Sequence, residues 1–202
     1  ESSVWEMIDW QKQAFAIYEF DTNNNNTLYL RGSWKDDKWV VFQRFIYEYN
    51  ELNLKTKFFW DRLLQDSTWY QIRKAIYEYD INNNLIKALD WSWTNGEWVN
   101  YSQSLYENDN NNNRTLEINQ LWRNGSWLNF RRYSYAFDSN NNKTLYIRKK
   151  WEKDEWVNDL QFKYEYNTHG DLIQFLTFTG NASDWSKLSR YFYYYDESTG
   201  SE

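Results

Sequence analysis

Residues 18–30 read YEFDTNNNNTLYL. Four consecutive asparagines, Asn23–Asn26, suit neither a helix interior nor a strand interior. The stretches on either side are aromatic, apolar and β-prone. Asparagine tolerates the left-handed region and hydrogen-bonds to backbone nearby. The stretch therefore reads as strand, asparagine-rich turn, strand.

The same reading recurs along the chain. A Tyr-x-x-Asp/Asn signature ends at Asp21, Asn50, Asp80, Asp109, Asp138, Asn167 and Asp196, with spacings of 29, 30, 29, 29, 29 and 29 residues. Three residues before each anchor stands a tyrosine: Tyr18, Tyr47, Tyr77, Tyr106, Tyr135, Tyr164 and Tyr193. Eleven residues before each stands a tryptophan: Trp10, Trp39, Trp69, Trp98, Trp127, Trp156 and Trp185. Full occupancy of both columns makes the chain one array over residues 1–202, seven copies of a unit of 29 residues with one residue inserted in the second.

Each unit is predicted to be a β-hairpin. A second tryptophan stands five residues before the column tryptophan at Trp5, Trp34, Trp93, Trp122 and Trp151. Turn formers lie between, as in WTNGEW and WRNGSW. Asn95-Gly96 and Asn124-Gly125 suit a two-residue type I′ turn, which needs positive φ at both centres. Fourteen strands then follow one another in an all-β antiparallel meander. Strand twist predicts that so wide a sheet rolls into a barrel-like shell or a superhelix. Alternation places Phe45, Tyr47 and Tyr49 on one face, and Glu19, Glu48, Glu78, Arg44 and Lys74 on a charged face patched by Ile17, Ile46 and Ile76. The tryptophan and tyrosine columns are eight residues apart, which predicts one shared inner face.

Composition excludes several chemistries. Aromatic residues make up 22% of the 202, and there is no proline and no cysteine. No disulfide, thiolate nucleophile or sulfur zinc site is available. His169 is the single histidine, and the net charge of −6 argues against nucleic acid as a partner. No apolar run reaches spanning length, so no membrane insertion is expected. No signal peptide is recognisable, which leaves a cytosolic, processed or fragmentary chain.

The stretch YEYNTHGDLIQF, Tyr164 to Phe175, resembles a YD repeat, whose pattern is Tyr-x-Tyr-Asp-x-x-Gly-Arg-Leu. YD repeats build spiral β-hairpin shells in Rhs-type toxins and teneurins. The wider unit, with its tryptophan pair and asparagine tract, is similar to hairpin repeats of secreted and surface proteins of Bacteroidetes-type bacteria. Only Gly170 fills the glycine position, and asparagine replaces it elsewhere. The resemblance implies an extracellular or cell-surface structural or binding repeat, without catalytic residues or cofactor.

Candidate sites follow from residue chemistry. The oxygen-rich tracts at Asp21, Asp80, Asp109 and Asp138 resemble calcium loops, but each holds one Asp and lacks a distal bidentate Glu. They read first as turns. Trp93, Trp122 and Trp151, at hairpin ends, are the candidates for stacking on sugar rings, while the tyrosine column reads as core. Asn-x-Ser/Thr sequons include Asn25, Asn113, Asn124, Asn142 and Asn181, as asparagine richness alone produces. Asp36, Asp37, Asp154 and Glu155 read as solvated turn carboxylates rather than an acid/base pair. The expected function is a non-catalytic, self-associating surface repeat (filament, sheath or adhesin segment), with glycan binding as the alternative. ESSVW at one end and DESTGSE at the other suggest sheet edges that pair end to end with further copies.

Overall fold

The computed structural model describes residues 5–9, 14–181 and 184–195, with side chains from residue 14 onward. Trp10, the anchor Asp196 and most of both end segments lie outside the described residues. The strands are β1 (Trp5–Asp9), β2 (Ala14–Phe20), β3 (Asn26–Lys35), β4 (Lys38–Tyr49), β5 (Lys55–Leu63), β6 (Trp69–Tyr79), β7 (Leu85–Thr94), β8 (Glu97–Asn108), β9 (Arg114–Arg123), β10 (Ser126–Phe137), β11 (Lys143–Glu152), β12 (Glu155–Tyr166), β13 (Leu172–Asn181) and β14 (Asp184–Phe192). Strand order follows chain order, β1 to β14, so the fold is the all-β hairpin-repeat meander. The chain divides into two units, Glu1–Gln103 and Ser104–Glu202.

The asparagine tracts are turns of one kind. Asn24 N–H donates to the Asp21 carbonyl (3.1 Å), and Asp21 N–H donates to the Asn25 carbonyl (2.9 Å). Asn24 has φ 64°, and its counterparts Asn53, Asn83, Asn112, Asn141 and Gly170 have φ 60°, 67°, 63°, 64° and 87°. This is a type I turn closed by a left-handed residue, and it shifts the strand register beside the turn, as between Glu19 and Phe20. Asparagine therefore fills a glycine position in five turns, and Gly170 fills it in the sixth.

The tryptophan-side turns are type I′ at Asn95-Gly96 (φ 52° and 86°) and Asn124-Gly125 (51° and 80°), as predicted. Asp36-Asp37 (50° and 55°) and Lys153-Asp154 (49° and 62°) adopt the same conformation without a glycine. Asp36, Asp37 and Asp154 are thus turn residues, and Glu155 opens β12. The inserted residue, between anchors Asn50 and Asp80, sits in the β5–β6 connection. There Leu63 stands opposite Trp69, and residues 64–68 repeat the asparagine-turn bonding: Leu64 N–H to the Thr68 carbonyl (2.9 Å), Ser67 N–H to the Leu64 carbonyl (3.1 Å).

One expectation fails. In β4, β6, β10, β12 and β14 the tryptophan and tyrosine columns lie on opposite faces. Each of these strands carries a β-bulge between them, leaving Phe42, Ile72, Phe130, Asp159 and Leu188 unpaired. One extra residue reverses the alternation beyond it. All five stand eight residues before their anchors, yet they share no residue type. Spacing alone could not reveal the reversal.

The tyrosine face carries cross-strand aromatic rows. In the first unit, Tyr18 stacks on Tyr29 (4.8 Å), Tyr29 on Phe45 (5.2 Å) and Phe45 on Trp60 (5.9 Å). In the second, Tyr135 meets Tyr146 (5.6 Å), Tyr146 stacks on Phe162 (5.3 Å), Phe162 meets Phe175 (5.3 Å), and Phe175 stacks on Tyr191 (5.9 Å). Burial in this row pushes the Tyr135 hydroxyl up to about 12, with the Glu117 charge adding to the shift. On the other face Ile17, Ile46 and Ile76 stand opposite Leu30, Phe59 and Leu89, beside the cross-strand ion pairs Lys57–Glu48 (2.6 Å) and Lys87–Glu78 (3.5 Å). That face is more apolar than a charge ladder. Among the described residues only Phe15, Ala75 and Ala88 are buried apolar side chains. The sheet is held by pairs across its two faces rather than by an enclosed core.

Candidate functional site

The three tryptophans singled out as ligand candidates each form an edge-to-face pair with the column tryptophan opposite. Trp93–Trp98, Trp122–Trp127 and Trp151–Trp156 have centroids 5.0, 5.0 and 4.9 Å apart, at interplanar angles of 71°, 67° and 71°. Direct cross-strand opposition beside a two-residue turn sets this geometry, as for Trp122 opposite Trp127. Each pair clamps a hairpin end while both indoles stay half-exposed. Structural duty and ligand access therefore coexist.

A fourth pair, Trp34–Trp39 (5.1 Å, 77°), was not singled out by sequence. It is the more exposed one, at 41% and 42%. Beside it, where the repeat ending at Asp80 has Leu63 in place of a tryptophan, lies a groove of about 690 Å³ lined by Lys35, Lys38, Trp39, Phe42, Leu63 and Leu64 among others. The signal was present in the sequence as the inserted residue and the missing tryptophan.

The anchor carboxylates are engaged within their own turns. Asp21 Oδ1 accepts the N–H groups of Asn23 (2.9 Å) and Asn25 (2.8 Å), and its Oδ2 accepts the Asn25 amide (2.9 Å). Asp80, Asp109 and Asp138 repeat all three bonds. Asn50 and Asn167 accept the two backbone bonds with their Oδ1 alone. Among the described residues no three His, Cys, Asp or Glu side chains gather in a way that could hold a metal ion. Three sequon asparagines, Asn25, Asn113 and Asn142, use their amide nitrogens in these bonds.

The turns also join neighbouring units. Asn25 Nδ2 donates to Asn53 Oδ1 (2.8 Å), and Asn113 Nδ2 to Asn141 Oδ1 (3.0 Å). The second aromatic of the signature reaches back as well. The hydroxyls of Tyr49, Tyr79 and Tyr166 donate to the carbonyls of Asn26 (3.0 Å), Lys55 (2.8 Å) and Lys143 (3.0 Å). Sequence reasoning placed these tyrosines on the aromatic face without seeing that they tie unit to unit.

The turn bonds hold the anchor carboxyls below their ordinary value of 3.8. At Asp21 the Asn25 side-chain amide is the main cause; at Asp80, Asp109 and Asp138 it is the backbone N–H four residues on. A carboxyl depressed in the folded state stabilises the fold above its unfolded pKa, and the contribution is lost as pH falls through the folded value. Changing all four anchors to asparagine, the residue found at Asn50 and Asn167, is expected to flatten the acid arm of the stability profile. Urea melts at neutral pH and below pH 3.8 compare the two proteins. Equal acid losses would remove these turns as the source.

No family model matches the chain, and no curated protein matches it. Among solved structures it is similar to a protein of unknown function from Bacteroides fragilis, at 17% identity and a TM-score of 0.41, covering 70% of this chain and 94% of that one. It is similar to a porin-like protein from Bacteroides uniformis at 10% identity and a TM-score of 0.33, covering 93% of each. A TcdB2-TccC3-TEV chain aligns at 11% identity and a TM-score of 0.24, covering 83% of this chain and 12% of that one. At such scores the likeness carries no inference about what the chain does.

Proposed function

We propose that the chain is a non-catalytic repeat scaffold of the cell exterior that joins further copies of itself edge to edge, as part of a filament, sheath or adhesin. The observation that supports this most is the state of β14. It ends the strand order. Tyr191 and Phe192 at its end, and Tyr193, Tyr194 and Tyr195 after it, are 51%, 52%, 42%, 91% and 53% exposed. A sheet edge with free backbone groups and large apolar side chains recruits another strand. Tyr193 N–H donates inward to the Ile173 carbonyl (3.1 Å), so the neighbouring Phe192 N–H points outward. Phe192→Pro removes an outward donor and no ladder bond. It is expected to abolish assembly in negative-stain images while leaving the far-ultraviolet spectrum unchanged. Assembly equal to the parent's would reject this edge.

The second reading is a carbohydrate-binding module, favoured by the half-exposed tryptophan pairs at successive hairpin ends. Binding to an immobilised polysaccharide panel is its expected result. No binding to any member would reject it.

A further inference from the structure

The sixth asparagine turn departs from the other five at three consecutive positions. His169 stands where Asn23, Leu52, Asn82, Asn111 and Asn140 stand; Gly170 takes the left-handed position; and Asp171 replaces the residue corresponding to Asn25. The polarity of the turn is reversed. Asn167 Nδ2 donates to Asp171 Oδ2 (3.0 Å), whereas at Asp21, Asp80, Asp109 and Asp138 the anchor carboxylate accepts from an asparagine. Asp171 N–H still donates to Asn167 Oδ1 (2.9 Å), so the turn keeps its shape. Gly170 offers no side chain to receive an amide from the preceding turn. Gly170 therefore takes no part in a bond between turns, and Asp171 keeps one carboxylate oxygen outside the turn's own bonds. Asp171 Oδ1 and the His169 imidazole have no hydrogen-bond partner among the described residues.

These groups border a groove of about 410 Å³ in the second unit, lined by Asn167, His169, Asp171, Ile173 and the three tyrosines Tyr193, Tyr194 and Tyr195. That volume lies within the range of small-molecule sites, roughly 300–1,000 Å³. Its chemistry is specific. Three phenol rings offer stacking surfaces and hydroxyls, a carboxylate oxygen accepts, and an imidazole donates or accepts. Among the described residues no lysine or arginine lines it. An acidic ligand would therefore face Asp171 without a balancing cation. A quaternary ammonium could use the rings and the carboxylate but would leave the hydroxyls and imidazole unmet. A sugar ring, with an apolar C–H face and hydroxyls at its rim, meets both sets.

We propose that this groove binds a neutral saccharide, with the tyrosines as platform and Asp171 and His169 as hydrogen-bonding groups. The inference rests on the carbohydrate-binding reading and moves its site from the tryptophan pairs to the sixth turn. The test is calorimetric titration of the intact chain with cello-, xylo-, manno- and malto-oligosaccharides, with polygalacturonate as the acidic control and choline as the cationic one. Tyr194→Ala and Asp171→Asn are expected to weaken binding of a neutral oligosaccharide by about tenfold, the scale of one lost aromatic contact, and Trp122→Ala to leave it unchanged. Tyr194 is 91% exposed, so its variant keeps the parent's melting temperature and reports on the ligand alone. If the parent binds neutral sugars and only Trp122→Ala weakens them, the sixth-turn site is wrong and the sugar-binding reading stands. If the parent binds polygalacturonate alone, the neutral-sugar site falls and the carbohydrate-binding reading stands; if it binds no sugar at all, or only choline, both fall.

Discussion

Asp61→Ala is expected to cost about 3 kcal/mol in urea melts, the lower end of the range for breaking a buried ion pair. The Asp61 side chain is 7% exposed and meets Arg44 Nε at 2.8 Å, while the Arg44 side chain keeps 31% exposure. Arg44 also lies over the Trp69 ring, 4.4 Å from its centroid. The repeat ending at Asp80 lacks a tryptophan pair, because Leu63 stands opposite Trp69. The guanidinium, held by Asp61, covers the indole that a second tryptophan covers elsewhere. Removing the carboxylate leaves a half-buried cation unpaired and frees it from the ring. A loss below about 1 kcal/mol, on the scale of ordinary surface changes, would show that the pair is ornamental to this hairpin.

Tyr146→Ala is expected to cost about 3 kcal/mol, at the foot of the range for large aromatics truncated to alanine. Its ring contacts Tyr133 (6.2 Å), Tyr135 (5.6 Å) and Phe162 (5.3 Å), more neighbours than any single turn residue has. Each such pair contributes about 0.5–1.5 kcal/mol beyond area burial. Tyr194→Ala, on a fully different footing, is expected to stay within about 0.5 kcal/mol. Equal effects at the two positions would mean that the aromatic rows do not hold the sheet.

The architecture was legible because it is written several times. The spacing of Asp21, Asn50, Asp80 and their successors, the Asn-Gly dipeptides and the apolar flanks each specify a local structure, and repetition removes accidents. The asparagine at the left-handed position was legible too, since Gly170 betrays what that position needs. The faces were not. The bulges at Phe42, Ile72, Phe130, Asp159 and Leu188 carry no common residue, so counting by twos put tryptophan and tyrosine together. Bonds between units were also invisible, because a hydroxyl such as Tyr49 reaches a carbonyl 23 residues away that only the folded sheet brings near.

Candidate sites were legible to the extent that they break the pattern. Trp93, Trp122 and Trp151 follow the repeat, and the structure gives each a role in its hairpin end. Leu63 beside Trp39, and His169–Asp171 beside the terminal tyrosines, depart from it, and grooves lie there. In a repeat protein the consensus residues hold the scaffold, and the departures are where side chains become available for other work.

The size of the purified chain in solution tests the self-associating scaffold most directly. Sedimentation across a wide range of protein concentration, followed by negative-stain imaging of the same samples, is expected to show species at whole-number multiples of 25.1 kDa that lengthen as concentration rises. A single 25.1 kDa species at every concentration would contradict it.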